Sequence, residues 1–79
     1  METIPLPHER FLRLAEVKMR TGLGRSAIYQ RIKENEFPKP VPLGMRKDGR
    51  AALVAFVESE IEQWIRRTIA ETRSERTPA

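Results

Sequence analysis

Basic and polar side chains gather between residues 25 and 50 of this 79-residue chain. They are of the types that contact duplex DNA, because Arg and Lys bind phosphates and guanine while Gln and Ser hydrogen-bond to base edges. They form two groups, one on a predicted helix and one around a predicted tight turn. The side chains that we predict to contact DNA are Arg25, Ser26, Tyr29, Gln30 and Lys33 in the first group and Arg46, Lys47 and Arg50 in the second.

The charge distribution favours an anionic partner. The chain carries +4 overall, but residues 18–50 alone carry nine basic and three acidic side chains, a net +6, and the remainder is slightly acidic. Positive charge concentrated on one stretch is typical of a nucleic-acid-binding module. The alternative is a solvated surface whose Lys and Arg side chains only keep the protein soluble.

Residue types that support catalysis or metal binding are scarce. The chain has no Cys, and its one His, His8, lies among prolines and charged residues near the N-terminus. The segment Gly22-Leu23-Gly24 has neither the spacing nor the strand context of a phosphate-binding loop. We therefore predict no enzyme activity, no metal ion, no cofactor and no small-molecule ligand.

A helix-turn-helix would position the first group. Inward residues at Leu14, Val17 and Thr21 have helical spacing. Gly22 supplies the positive-φ residue that ends a helix and lets the chain reverse, and Leu23 would fill the turn.

The second helix is predicted to begin at residue 24 or 25 and to continue to about Asn35. Ile28 and Ile32, four residues apart, dock it on the first helix. Because each residue advances the helix by about 100°, four members of the first group fall away from this seam, namely Ser26, Tyr29, Gln30 and Lys33. Arg25 lies at the N-terminal end of the helix. The segment Phe37-Pro38-Lys39-Pro40 ends the helical region, since each Pro disfavours helix.

A β-hairpin would position the second group. Asp48-Gly49 is typical of a two-residue type I′ turn, which needs positive φ at both positions. That loop predicts a register with the pairs Lys47–Arg50, Leu43–Val54 and Val41–Phe56. A cationic hairpin beside a helix-turn-helix is a wing, whose partner is the phosphate backbone or a minor groove.

A third helix is predicted after the hairpin. Ser59 and Glu62 have the spacing of a capping box, and Glu58 and Glu60 place negative charge at the positive end of the helix dipole. An apolar stripe at helical spacing closes the core. Trp64 lies at the centre of this stripe and is therefore predicted to be a core residue. The members of the stripe are Ile61, Trp64, Ile65, Thr68 and Ile69.

These elements predict one mostly α-helical domain with a small β-hairpin, arranged as a three-helix winged helix-turn-helix. We predict a flexible arm over residues 1–10, the DNA-binding domain over residues 11–71 and a frayed tail over residues 72–79. The longest apolar run, residues 51–57, is too short to cross a bilayer. We therefore expect no membrane association and a cytoplasmic, nucleoid-associated location.

Three sequence blocks in this order resemble the AlpA-type phage regulatory proteins, small relatives of the excisionase and MerR-like winged helix-turn-helix group. The blocks are RFLRLAEV at 10–17, TGLGRSAIYQRIKENEFPKPV at 21–41 and AFVESEIEQWI at 55–65. The resemblance implies that DNA is read by Arg25, Ser26, Tyr29 and Lys33. Gly24 and Ala27 depart from the family's common Ser and Thr. The first weakens the helix start by a few tenths of a kcal/mol, and the second bears on which bases are read.

We predict a sequence-specific double-stranded DNA-binding transcriptional regulator of phage or prophage type. The alternative within the same physics is an excisionase-like architectural factor, which would bend DNA through adjacent copies. In that case the acidic start of the third helix would meet the basic stretch of the next copy on tandem sites.

An adaptor protein would expose an apolar patch, whereas core faces account for the apolar residues here. RNA readers need several exposed aromatic side chains, and only Tyr29 is expected to be exposed.

Overall fold

The computed structural model describes residues 9–75 and comprises three helices and a small antiparallel sheet. The helices are α1 (Leu14–Thr21), α2 (Arg25–Lys33) and α3 (Glu58–Glu75). The strands are β1 (Phe11–Leu12), β2 (Val41–Pro42) and β3 (Val54–Val57), in the order β1-β3-β2. The predicted fold class is confirmed: α1 and α2 form the helix-turn-helix, and the hairpin between β2 and β3 forms the wing.

The turn between α1 and α2 has the structure that the sequence predicts. Gly22 has a φ of 75°, and its N–H donates to the Lys18 carbonyl at 2.8 Å, which ends α1. The Thr21 hydroxyl donates to the Val17 carbonyl at 2.8 Å and accepts the Leu23 N–H at 3.2 Å. One side chain therefore ties the last turn of α1 to the loop, and Leu23 packs against the core.

The helix α2 ends at Lys33, two residues earlier than predicted. Asn35 takes the left-handed conformation, with a φ of 61°. The N–H groups of Asn35 and Glu36 donate to the carbonyls of Ile32 and Arg31 at 3.0 and 2.8 Å. This is the Schellman pattern, in which Asn takes the place of the usual Gly because its short polar side chain tolerates positive φ.

The hydrophobic core lies where α1, α2, α3 and the sheet meet. Its buried cluster consists of Leu12, Val17, Ile28, Phe37, Phe56 and Ile61. The ring of Phe37 packs edge-on against Phe56 and Trp64, with centroid distances of 6.1 and 4.8 Å. The first residues after α2 are thereby fixed to both the sheet and α3.

The start of α3 differs from the predicted capping box. The helix begins at Glu58, so Ser59 lies inside its first turn. The Ser59 hydroxyl donates to Glu9 Oε2 at 2.9 Å, and the Ser59 N–H donates to Glu9 Oε1 at 3.3 Å. The Glu58 N–H donates to the Arg10 carbonyl at 2.8 Å. The prediction that Ser59 caps the helix together with Glu62 is therefore wrong, because the chain before β1 satisfies these donors instead.

The apolar stripe of α3 is fully buried only near its N-terminus. Ile61 is buried, Trp64 and Ile65 are partly buried against the core, and Ile69 is 44% exposed. Trp64, predicted to be a core residue, packs against the buried cluster but is only partly buried, so its ring lies at the edge of the core. There its Nε1–H donates to the Glu36 carbonyl at 2.8 Å, the kind of polar partner that a Trp at a core boundary keeps.

The wing pairs in a register one residue away from the predicted one. Val41 lies opposite Ala55 and Pro42 lies opposite Val54, whereas Val41 was predicted to face Phe56. All three predicted pairs are therefore wrong, each by one residue in the same direction. The shift comes from the loop, since loop length sets the register of a hairpin.

The wing loop contains three residues instead of two. The Arg46 N–H donates to the Arg50 carbonyl at 2.6 Å, and the Gly49 N–H donates to the Arg46 carbonyl at 3.0 Å. Gly49 has a φ of 88°, but Asp48 does not share the positive φ that a type I′ turn needs. Asp48 Oδ1 instead accepts the Arg50 N–H at 3.0 Å, which closes the loop.

Several apolar side chains lie outside the core. The exposed ones include Phe11, Met19, Met45, Leu53 and Ile69, so the prediction that core faces account for the apolar residues is wrong. They are spread over β1, α1, the wing and α3.

The strand β1, which was not predicted, pairs with β3 and brings Leu12 into the core. In residues 9–75 there is no helix long and apolar enough to cross a membrane.

Candidate nucleic-acid interface

A cluster of ion pairs holds α1 against the start of α3. Arg20 Nη2 lies 2.8 Å from Glu58 Oε2, and Arg20 Nη1 lies 3.6 Å from Glu62 Oε2. Arg10 adds contacts of 3.5 Å to Glu58 and 3.4 Å to Glu16. Arg20 belongs to the basic stretch, but its ion pairs hold α1 against α3. Glu58 and Glu62 are likewise engaged within the chain, which removes two of the three carboxylates expected to meet a neighbouring copy.

The outer face of α2 carries the first predicted group. Ile28 is buried and Ile32 is partly buried, so these two residues dock α2 on the domain. The opposite side is open to solvent. All five predicted side chains are exposed: Arg25 at the N-terminal end of the helix, and Ser26, Tyr29, Gln30 and Lys33 along it.

Two pairs of side chains, each four residues apart, order this face. The Arg25 guanidinium carbon lies 5.5 Å from the centroid of the Tyr29 ring, a cation–π geometry. The Gln30 Nε2 donates to Glu34 Oε2 at 2.7 Å. Sequence reasoning missed Glu34, although the Gln-to-Glu spacing of four residues was the available signal. Both pairs restrict the rotamers of side chains that were predicted to read DNA.

The N-terminus of α2 is accessible. Its N-cap is Gly24, with φ and ψ of −81° and 171° and no side-chain cap hydrogen bond from the described chain. A Cβ added at Gly24 would meet nothing within 4 Å. An open helix start of this kind presents N–H groups and the positive end of the helix dipole, both of which favour a phosphate.

The wing tip carries the second predicted group. Arg46 and Arg50 lie directly opposite each other in the observed register, and Lys47 follows in the loop. All three are exposed, and none forms an ion pair with another residue in the range 9–75. Like charges directly across a hairpin destabilise it. A bound anion would relieve this repulsion.

A groove between α3 and the segment that follows α2 has no clear charge preference. Its volume is about 840 Å³. Its charged lining residues balance, with Arg31, Lys39 and Arg67 against Glu36, Glu60 and Glu71. The described residues contain no group of three or more His, Cys, Asp or Glu side chains that could hold a metal ion, and His8 lies outside the described range.

Comparison with known proteins gives two matches. Residues 10–69 match the model of a family described as Prophage CP4-57 regulatory protein (AlpA). The chain is also similar to a protein of Enterobacteria phage P4 described as uncharacterized protein ORF88. The two are 43% identical over 70 residues, which cover 85% of this chain and 73% of the phage protein. No solved structure matches this chain.

Proposed function

Because this chain belongs to the AlpA family of prophage regulatory proteins, we propose that it regulates transcription by binding a specific double-stranded DNA sequence. In this proposal α2 lies in the major groove, and the wing contacts the adjacent backbone or minor groove. The observation that carries the proposal is the solvent-exposed surface of α2, on which five side chains suited to DNA contact are exposed while Ile28 and Ile32 dock the helix on the domain. Arg25 lies at the N-terminal end of this surface, and the other four lie along it. Phosphate contacts would position the helix, and base contacts would give it specificity.

The number of unpaired cations at the proposed interface sets how strongly DNA binding should depend on salt concentration. Five exposed basic side chains at the interface form no ion pair within residues 9–75, namely Arg25, Lys33, Arg46, Lys47 and Arg50. Each cation that neutralises one phosphate contributes about −0.9 to the slope of log K against log salt. Five contacts therefore predict a slope of about −4 to −5, or a loss of roughly 500-fold in affinity between 50 and 200 mM salt.

A salt titration tests this directly. Fluorescence anisotropy of a labelled duplex, repeated across salt concentrations, gives the slope for the wild-type protein. The double variant Lys47→Ala, Arg50→Ala should lower the magnitude of the slope by about 2. Arg66→Ala removes an exposed cation that belongs to α3 and to neither of the two predicted groups, so it should leave the slope unchanged. A slope near zero for the wild-type protein on every duplex would refute the proposal.

Association between copies on tandem sites is a further part of the proposal. Of the three acidic residues at the start of α3, Glu60 is exposed and forms no ion pair within residues 9–75, whereas Glu58 and Glu62 pair with Arg20. The wing of a neighbouring copy would meet one carboxylate, not three. We therefore expect weak cooperativity, which requires the DNA to hold the two copies together.

A further inference from the structure

Gln30 is the residue of α2 that points most directly away from the domain. At about 100° per residue it stands about 180° from the mean direction of Ile28 and Ile32. Its side chain is exposed, and it forms one side-chain hydrogen bond within residues 9–75, to Glu34. A helix laid in the major groove along this face would present Gln30 to the floor of the groove, where the base edges lie.

The contact with Glu34 decides which way the Gln30 amide faces. A carboxylate only accepts hydrogen bonds, so the –NH2 group of Gln30 must face Glu34 and Oε1 must turn away from it. The distance of 2.7 Å between Nε2 and Oε2 is that of a charge-assisted hydrogen bond. One N–H of the amide is thereby occupied, while Oε1 and the second N–H remain available.

We propose that Glu34 is a positioning residue that fixes the Gln30 amide so that it reads adenine. This inference rests on the proposed function and names the base that one residue of the interface recognises. In the major groove adenine presents the N7 acceptor and the N6 amino donor, which match the second N–H and Oε1 of Gln30. The amide therefore meets adenine in the orientation that Glu34 already holds.

Guanine requires the opposite orientation of the amide. It presents two acceptors in the major groove, N7 and O6, so the –NH2 group would have to turn towards the base. That rotation breaks the hydrogen bond to Glu34 and places Gln30 Oε1 against the carboxylate. Glu34 thus supports adenine and opposes guanine at one position of the site, a specificity that combines an attractive and a repulsive element.

Substitution at both positions tests the inference. Selection from a randomised duplex pool with the wild-type protein yields a preferred site, and the same selection with Gln30→Ala identifies the position whose preference depends on Gln30. Affinities are then measured for duplexes that differ only at that position. A bidentate contact predicts that the wild-type protein binds adenine about 5- to 150-fold more tightly than guanine. Glu34→Ala and Glu34→Gln should both lower this ratio towards one by gaining affinity for guanine.

The ratio separates positioning from simple charge. Removal of any carboxylate near DNA raises affinity for all duplexes, but it leaves the adenine-to-guanine ratio unchanged. Glu36→Ala is the matched control, because its exposed carboxylate makes no hydrogen bond or ion pair within residues 9–75. Circular dichroism of each variant verifies that α2 remains helical.

The outcomes are distinguishable. An unchanged ratio in both Glu34 variants, beside a changed preference in Gln30→Ala, would overturn the positioning role alone. A wild-type preference for guanine at that position would overturn the assignment of the base. If the wild-type protein selected no sequence and bound duplexes without salt dependence, the proposed function itself would fail, and this inference with it.

Discussion

Replacing Trp64 tests how firmly α3 is attached to the domain. The ring lies 4.8 Å from Phe37, and its Nε1–H donates to the Glu36 carbonyl at 2.8 Å. A buried Trp removes about 150 to 250 Å² from water. Since Trp64 is only partly buried, about 120 Å² is a reasonable share, which stabilises the fold by roughly 3 kcal/mol.

The expected loss for Trp64→Ala is therefore about 3 to 4 kcal/mol, because the hydrogen bond to Glu36 adds about 1 kcal/mol. This lies near the lower end of the range for large aromatic truncations. In a domain of this size it corresponds to a fall in Tm of roughly 12 to 30 °C. Thermal and urea unfolding followed by far-UV circular dichroism measure both quantities.

Trp64→Phe separates the ring from the hydrogen bond. It keeps most of the aromatic contact with Phe37 and removes the donor to Glu36, so the expected loss is about 1 to 2 kcal/mol. Equal losses for the Phe and Ala variants would assign the stability to the hydrogen bond alone. A loss below about 1 kcal/mol for Trp64→Ala would refute the reasoning, because it would show that burial of this ring does not hold α3 in place.

Three further perturbations address the scaffold, the interface and the assembly. Arg20→Met keeps the aliphatic stem but removes the ion pairs to α3, so the free energy of unfolding should fall by about 1 to 3 kcal/mol. A variant as stable as the wild type would show that the ion-pair cluster contributes nothing to stability. Arg25→Ala should lose about 1 to 3 kcal/mol on the preferred site and less on random DNA, whereas the double variant Lys47→Ala, Arg50→Ala should weaken all duplexes alike; the reverse pattern would exchange the roles of helix and wing. Titration onto duplexes with one site and with two tandem sites, with bending read by circular-permutation gel shift, should show weak cooperativity that Glu60→Ala removes. Independent binding without a bend would eliminate contact between copies.

Local sequence patterns predicted the helix-turn-helix because its determinants are close together in the chain. Gly22 ends α1 at the predicted place, and Ile28 lies in the core. The exposure of the outer face of α2 follows from the same helical spacing. These features depend on backbone preference and on a period of 3.6 residues, both of which are readable within one turn of helix.

The wing register was not readable in the same way. Asp48-Gly49 is compatible with a two-residue type I′ loop, in which both residues have positive φ. It is equally compatible with a three-residue loop in which only the Gly is left-handed. The structure has the second form, with positive φ at Gly49 and an aspartate oxygen on the Arg50 N–H. Because the two loops differ by one residue, the choice shifts every pair in the hairpin.

The start of α3 shows a different limit of local reasoning. Ser59 has the spacing of a capping residue, but its N–H and hydroxyl bond to Glu9, a residue 50 positions away. That contact exists because β1 pairs with β3 and brings the chain before it to the first turn of α3. The two strands have two and four residues, which is too few to show an alternating pattern that would predict their pairing.

The same non-local contacts change how the basic stretch should be counted. Nine basic residues between positions 18 and 50 would predict a salt slope near −8 if all of them met phosphates. Arg20, however, is held by carboxylates of α1 and α3, and Arg31 is partly buried with its guanidinium donating to the Ala27 carbonyl at 3.4 Å. Lys18 and Lys39 lie outside both proposed contact surfaces. A slope near −4 to −5 is therefore the value that this fold predicts. A value near −8 would mean that Arg20 exchanges its carboxylates for phosphates, and the attachment of α1 to α3 would then loosen when DNA binds.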